Sequence, residues 1–203
     1  MPDEADPPRW LWKGVLWTLT LMLAGGVALS LAIGAGWNSP RPTAPPDRRL
    51  PSPLELTAAA PQRWETRLLD QPVGPFTLEA VAAPIEGSDF SGYGLVFRAR
   101  SPEQYAVFGV GPDGYLAVLR VEGGIETPLL DWQQFPHIRR GRAANRLRVS
   151  CAGGVCHFWV NDEYVAAVPD ELGPSGDVGL WVRRLEGEEV RVRFEQVALW
   201  RGE

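Results

Sequence analysis

Closely spaced acidic residues are the groups in this chain best suited to acid–base chemistry, because one carboxyl group can donate a proton while another accepts one. The acidic clusters are Glu186, Glu188 and Glu189, then Asp162–Glu163, then Asp170–Glu171. The first two sets fall on predicted hairpin tips and the third in a loop that contains Pro and Gly. We therefore expect solvated acids rather than a catalytic pair, and the sequence predicts no enzyme.

Histidine and cysteine are too few and too poorly placed for nucleophilic or metal chemistry. His157 directly follows Cys156, so on a strand the two side chains point to opposite faces. His137 lies in a loop, and two Cys with two His give little basis for a four-ligand zinc site. The turn at 109–114 lacks the helix that must follow a phosphate-binding loop. The sequence thus predicts no catalytic residue, no metal and no cofactor.

The two cysteines instead suit a disulfide. Gly153-Gly154 fits a two-residue turn with both φ angles positive, which places Cys151 opposite Cys156 on adjacent strands. Directly opposed residues of a non-hydrogen-bonded pair come close enough for a bridge. A disulfide implies an oxidising compartment, whereas the alternative is two free thiols in a cytosolic protein.

Arginine and aromatic residues on polar strand positions form a candidate binding face, whose arginines are Arg98, Arg120, Arg146, Arg148, Arg191 and Arg193. His157 and Trp159 share one face of their strand, and Trp132 lies beside a loop that contains Phe135 and His137. Such a face suits an anionic glycan or an acidic protein surface, and Trp132 suits stacking on a sugar ring. The candidate ligand-binding residues are Trp132, Trp159, His157, Arg98 and Arg148. The alternative pairs the arginines with Glu79, Glu122 and Glu195 and buries Trp132 in the core.

The element pattern that must position these residues is that of an antiparallel β-protein. From residue 62 to 203, short runs of β-branched, aromatic and aliphatic residues recur every 8–14 residues between Gly, Pro, Asp and Asn. In SGYGLVFRAR, Tyr93, Leu95 and Phe97 share one face. We expect eleven strands with one core face and one wet face. They span about 64–69, 75–83, 92–100, 104–111, 114–122, 125–131, 144–151, 155–161, 163–168, 177–184 and 189–200.

An uncharged block near the start predicts a transmembrane helix. The 24 residues 14–37 contain no charge, enough to cross a bilayer with some tilt. Trp10, Trp12 and Trp37 lie near its ends, as in an interfacial aromatic belt. A cleaved signal peptide is the alternative, with small residues at 34–36, but the apolar run is long for one. Residues 1–13 would form a short cytoplasmic tail.

Residues 38–61 include seven prolines and are expected to form a semi-rigid linker to the domain at 62–203. Positive charges near the two ends of the apolar block are almost balanced, so the disulfide decides the orientation. We expect the N-terminus in the cytoplasm and the C-terminal domain outside it, at the cell membrane. The net charge of −5 argues against nucleic-acid binding.

The segment from about Asp89 to Trp200 resembles the concanavalin A-like lectin/glucanase superfamily of jelly-roll domains. That superfamily includes laminin-G-like modules and the domain of 3-keto-disaccharide hydrolases. The acids that its glucanases place as E-x-D-x-x-E on one strand are absent from this sequence. The motifs of the resemblance are GYGLVFRA (92–99), YAVFGVGPDGYLAVLR (105–120), LLDW (129–132), NRLRV (145–149), FWVNDEYVAAV (158–168), GDVGLWV (176–182) and VRFEQVALW (192–200).

Together these features predict a membrane-anchored, extracytoplasmic jelly-roll module that binds a glycan or a protein surface and does not catalyse. The expected partners are the lipid bilayer and a glycan or protein ligand. Two alternatives stay open. One is an accessory or structural subunit of a membrane complex, held through the Gly- and Ala-rich helix. The other, implied only by the resemblance, is an enzyme acting on glycosides.

Overall fold

The computed structural model describes residues 9–34, 42–59, 64–68 and 74–202. The chain divides into two compact units, Met1–Pro40 and Arg41–Glu203. The first contains one α-helix and the second contains the strands. Each unit has its own architecture, set by its own hydrophobic pattern.

Helix α1 spans Arg9–Gly34, so it begins earlier than the expected residue 14. Within Lys13–Ser30 the mean hydropathy is 1.4, and the side chains are exposed. The hydroxyls of Thr18, Thr20 and Ser30 donate hydrogen bonds to carbonyls four residues earlier, which satisfies them inside the helix. By length and composition α1 can cross a membrane, a property that signal sequences share. The side chains of Trp10 and Trp12, and all of Trp37, lie outside the described residues.

Thirteen strands make up the second unit among the described residues. Every pairing between them is antiparallel. Their bounds are β1 Arg48–Arg49, β2 Leu54–Ala58, β3 Trp64–Leu68, β4 Phe76–Glu86, β5 Ser91–Ser101, β6 Gln104–Val110, β7 Tyr115–Glu122, β8 Ile125–Gln134, β9 Asn145–Ala152, β10 Val155–Val160, β11 Glu163–Pro169, β12 Asp177–Arg184 and β13 Val190–Arg201.

The strands form two sheets. The seven-stranded sheet has the order β1-β13-β4-β9-β10-β11, with β2 also paired to β13, and the six-stranded sheet has the order β3-β12-β5-β6-β7-β8. The eleven expected strands are all present, with ends that differ by at most three residues. The predicted all-β antiparallel sandwich is confirmed.

The expected linker is partly wrong, because β1 and β2 lie inside residues 38–61 and pair with β13. Leu56 and Ala58 are buried in the core. The physical reason is that Pro51 and Pro53 precede β2 rather than interrupt it, so its backbone donors remain free for pairing. The sandwich therefore begins well before the expected residue 62.

Alternating strand residues from both sheets fill the core. In β4 the side chains of Phe76, Leu78, Ala80 and Ala82 all point inward, as a period of two requires. The aromatic rings of Phe97 and Phe108 lie 5.7 and 5.0 Å from that of Phe158, in tilted contacts between the sheets. These contacts join β5 and β6 of one sheet to β10 of the other.

The cysteine hairpin has the expected register. Gly153 and Gly154 adopt φ angles of 60° and 79°, and Cys151 lies opposite Cys156. The two cysteines form a buried disulfide. Because the pairing follows from the turn, the prediction from the glycine pair is confirmed.

Candidate functional site

The six-stranded sheet has an apolar outer face as well as an apolar core face. Residues on the outer positions form a second buried cluster made of Val96, Ala99, Tyr105, Val107, Ala117, Leu119, Val121 and Trp181, with Trp132 packed against it. The expected wet outer face is therefore wrong for this sheet. The alternation of β5 is real, but both of its faces are buried.

The ring of Trp181 packs against this outer face. A Cβ atom placed on Gly92 would lie 2.8 Å from Trp181 Cζ3, and one on Gly109 would lie 3.1 Å from the same atom. A side chain at either position would collide with the indole, so the two glycines make room for it. The ring of Trp132 lies beside that of Trp181. The Cβ atom placed on Gly109 would also lie 3.7 Å from Trp132 Cη2.

An ion pair crosses this face from one side of the sheet to the other. Arg183 Nη1, on β12, lies 2.6 Å from Glu126 Oε2, on β8. Three strands separate β12 from β8. In a flat sheet four strand spacings amount to about 19 Å, farther than the two extended side chains reach together. The outer face must therefore be concave, with the ion pair joining its two sides.

The hydroxyl of Tyr105 lies among the same groups. Burial raises the pKa of Tyr105, and the negative charge of Glu126 acts in the same direction. A hydrogen bond with Trp181 and the positive charge of Arg183 oppose that shift in the pKa. The concave face is thus occupied by four side chains of the chain itself, Trp181, Tyr105, Arg183 and Glu126, which we call the plug.

A groove remains open beside the plug, at the end of the sheet where β5 and β7 begin and β8 and β12 end. Its volume is about 380 Å³, within the usual size range of ligand pockets. Phe90 is 63% exposed and Tyr115 is 41% exposed. The lining residues are Phe90, Ser91, Asp113, Tyr115, Trp132 and Leu185.

The groove combines aromatic rings with one carboxylate. Asp113 Oδ1 accepts a hydrogen bond from the backbone N–H of Tyr115 at 3.1 Å, which holds the tip of the β6–β7 turn. Within the described residues no hydrogen bond is formed by Asp113 Oδ2. Rings of Trp and Tyr offer apolar stacking surfaces with polar edges, and a carboxylate accepts hydrogen bonds from hydroxyls. This set can hold a ligand that has both an apolar face and hydroxyl groups.

Three of the expected site residues meet on the outer face of the other, seven-stranded sheet. The guanidinium of Arg148 lies 4.6 Å from the ring centroid of Trp159, and the ring of His157 lies 6.0 Å from that of Trp159. Arg148 is only 1% exposed and Trp159 only 4% exposed. The exposed member of this cluster is Tyr164, whose hydroxyl lies 3.4 Å from His157 Nδ1.

The expectation that Arg98 occupies a solvent-facing position is wrong, because its side chain is buried and only 2% exposed. Its Nη2 lies 2.7 Å from Asp170 Oδ2, and its Nη1 donates to the carbonyl of Gly74 at 2.6 Å. The backbone of Arg98 has a positive φ of 54° at a bulge in β5. The bulge interrupts the strict alternation on which the expectation rested.

The other arginines of the expected binding face already have acidic partners within the chain. They also lie on two different sheets, so they do not form one surface. Glu79 pairs with Arg146, as the alternative interpretation proposed, and Glu122 lies near Arg120. The pairs are Arg146–Glu79 at 2.6 Å, Arg193–Glu55 at 3.3 Å, Arg120–Glu171 at 3.3 Å and Arg191–Glu86.

The acidic clusters lie as follows. Glu186, Glu188 and Glu189 are exposed in the loop between β12 and β13. Asp162 lies on the β10–β11 turn with a φ of 72°. Asp170 forms a buried ion pair with Arg98. None of these acids lines the groove.

Sequence reasoning found Trp132 but missed the other members of the groove and the plug. Phe90 and Leu185 lie in two separate connections and Tyr115 begins β7, so their meeting depends on the sheet topology. One signal for the plug was present. Glycines inside a strand indicate that another group approaches the backbone closely, and Gly92 and Gly109 lie inside β5 and β6.

No family model matches the chain, and no curated protein matches it in sequence. Solved structures do match it. They include the carbohydrate binding module CBM66 from Bacillus subtilis, with a TM-score of 0.58 and 16% identity over 72% of this chain and 92% of that one. A functionally unknown protein from Saccharomyces cerevisiae has a TM-score of 0.57 and 16% identity over 78% and 94%.

A xylan beta-1,4-xylosidase from Bacillus halodurans also matches, with a TM-score of 0.53 and 17% identity over 74% of this chain but 33% of the xylosidase. At these identities the likeness shows the fold alone. The fold is that of a jelly-roll β-sandwich, as the resemblance implied.

Proposed function

We propose that this protein is a non-catalytic module that binds an uncharged glycan in the groove beside Trp132. The observation that carries the proposal is the lining of the groove, where three aromatic side chains surround one carboxylate. The apolar face of a sugar ring would stack on an aromatic ring, and Asp113 would accept a hydrogen bond from a sugar hydroxyl. Jelly-roll neighbours that include a carbohydrate-binding module support this choice.

The charge of the groove favours an uncharged sugar. Asp113 is its one charged lining residue in the described part of the chain, and a carboxylate repels sulfate and uronate groups. The arginines that were expected to receive an anionic glycan are paired with acids or buried. This replaces the anionic ligand of the sequence-based expectation by a neutral one.

Binding rather than cleavage is favoured by the number of carboxylates. Glycosidases place two of them across the bond, about 5–10 Å apart. Among the described residues, Asp113 is the one acid that lines the groove, and Glu126 is held by Arg183 on the neighbouring face. We therefore propose that a bound sugar leaves the groove unchanged.

We also propose that α1 anchors the module in the cell membrane, with the sandwich outside the cytoplasm. The length and hydropathy of α1 support the anchor, and the Cys151–Cys156 disulfide supports an oxidising compartment.

The direct test is a screen of the full-length protein, in detergent micelles, against immobilised neutral and anionic glycans. Binding to one or more neutral classes is the expected result. Silence across the panel, or binding to sulfated or uronate-rich glycans alone, would overturn the proposal. A parallel incubation with each bound glycan, followed by product analysis, should show no cleavage.

A further inference from the structure

We infer that the groove receives the end of a glycan chain rather than a stretch of its interior, an inference that rests on the proposed function. The first observation is that the plug occupies the concave face next to the groove. Trp181 and Tyr105 are both buried there, so their rings offer no surface on which further sugar units could stack. A chain that entered the groove could not continue along the strands.

The Arg183–Glu126 ion pair reinforces this block. It joins β12 to β8 across the concave face, and its two side chains are only 17% and 22% exposed. A partly buried charge pair with a short contact resists separation, because each partner would be left with an unpaired charge. The pair therefore acts as a bar across the path that an extended glycan would take.

The second observation is the size of the groove. A volume of about 380 Å³ lies near the lower limit for ligand pockets and suits one or two sugar rings. Phe90 and Leu185 line it from the side of β5 and β12, and Trp132 lines it from β8 on the other side. The terminal unit of a chain fills such a space, whereas a polymer interior needs a cleft that is open at both ends.

The test uses ladders of neutral oligosaccharides from disaccharide to hexasaccharide, together with the parent polysaccharides. Xylo-, cello- and malto-oligosaccharides would be titrated calorimetrically into the full-length protein in detergent. For any ladder that binds, we expect one protein per chain at every length and an affinity per mole of chains that stays level beyond the disaccharide or trisaccharide. The parent polysaccharide should bind in proportion to its chain ends.

Three outcomes decide the matter. One protein per chain at all lengths supports the inference. Several proteins per hexasaccharide or polysaccharide chain, or an affinity that keeps rising with length, would overturn it and leave glycan binding intact. If no neutral glycan in the ladders or in the wider panel binds at any length, the proposed function itself fails, and the inference fails with it.

Discussion

The guanidinium of Arg148 stacks 4.6 Å from the ring centroid of Trp159, and both side chains are buried. The two residues lie directly opposite each other on β9 and β10, and Arg148 also lies opposite Glu79 on β4. The stack thus joins three neighbouring strands across the outer face of the seven-stranded sheet. Residues that the sequence marked as candidate ligand contacts are in this way part of the packing of the sheet.

We predict that Trp159→Ala destabilises the protein and leaves glycan binding unchanged. Removal of a buried tryptophan costs about 3–5 kcal/mol, and the cation–π contact with Arg148 is lost as well. Urea unfolding of the full-length protein in detergent measures the loss, and titration of a bound glycan measures affinity. Tyr164→Ala, at an exposed neighbour, is the control and should change neither quantity much. Weaker glycan binding by folded Trp159→Ala would contradict this prediction and show that the outer face of the seven-stranded sheet contributes to ligand binding.

The buried Arg98–Asp170 pair gives a second prediction. Arg98→Ala leaves the carboxylate of Asp170 buried without its partner, and such changes cost about 3–5 kcal/mol. The double change Arg98→Met with Asp170→Leu removes both charges and should recover most of that loss. Denaturant midpoints of the three proteins provide the comparison. A double variant no more stable than Arg98→Ala would show that the charge is not the cause.

The disulfide predicts where the sandwich lies in the cell. Because the loop that it closes is short, replacing Cys151 and Cys156 by alanine should cost only about 2 kcal/mol. When cells are lysed in denaturant with a maleimide present, the two buried cysteines should be labelled only after a reductant is added, and in intact cells an external protease should reach the domain. Rapid labelling without reductant, together with full protection from protease, would place the sandwich in the cytoplasm.

Tyr93 predicts a loss of stability at alkaline pH. Burial raises the pKa of Tyr93 from 10.0 to about 12. A hydrogen bond donated by Asn145 Nδ2 to the Tyr93 hydroxyl acts in the opposite direction but is the smaller effect. The folded state holds the proton of the Tyr93 hydroxyl more tightly than the unfolded state does. The stability that Tyr93 contributes is therefore complete below pH 10 and declines as the pH rises to about 12. The expected loss is about 2–3 kcal/mol.

Stability measured between pH 9 and about 12 tests this expectation. Tyr93→Phe should make the decline in stability less steep. Some decline should remain, because the pKa of Tyr105 is also raised and its ionisation also destabilises the folded state. Tyr164→Phe is the matched control at an exposed tyrosine and should leave the curve unchanged. A curve for Tyr93→Phe that falls as steeply as the wild-type curve would contradict the burial argument.

Local chemistry explains which parts of the fold could be predicted from the sequence. The Gly153-Gly154 turn determines the pairing of Cys151 with Cys156 without any long-range information. Alternation within each strand likewise depends on nearest neighbours, which is why the strands were found.

Two features escaped prediction, one within a single strand and one between distant segments. The bulge at Arg98 changes the face of a side chain within a single strand, and nothing in the residue pattern signals it. The groove needs the ends of four strands to meet, so Trp132 was found by its residue type while Phe90 and Tyr115 were not.

The most direct test of the central claim is the affinity of Trp132→Ala for a neutral glycan that the wild-type protein binds. We predict a loss of at least about tenfold, or about 1.4 kcal/mol, because an aromatic residue that lines the groove would supply much of the stacking energy. The matched Tyr164→Ala should bind within about twofold of wild type. Tyr164→Ala should unfold at nearly the wild-type urea midpoint. Trp132→Ala should unfold at a lower one, because its ring packs against the buried cluster beside Trp181, so affinities are compared without denaturant, where both variants are folded. A folded Trp132→Ala that binds as tightly as wild type would contradict the assignment of the groove as the glycan site.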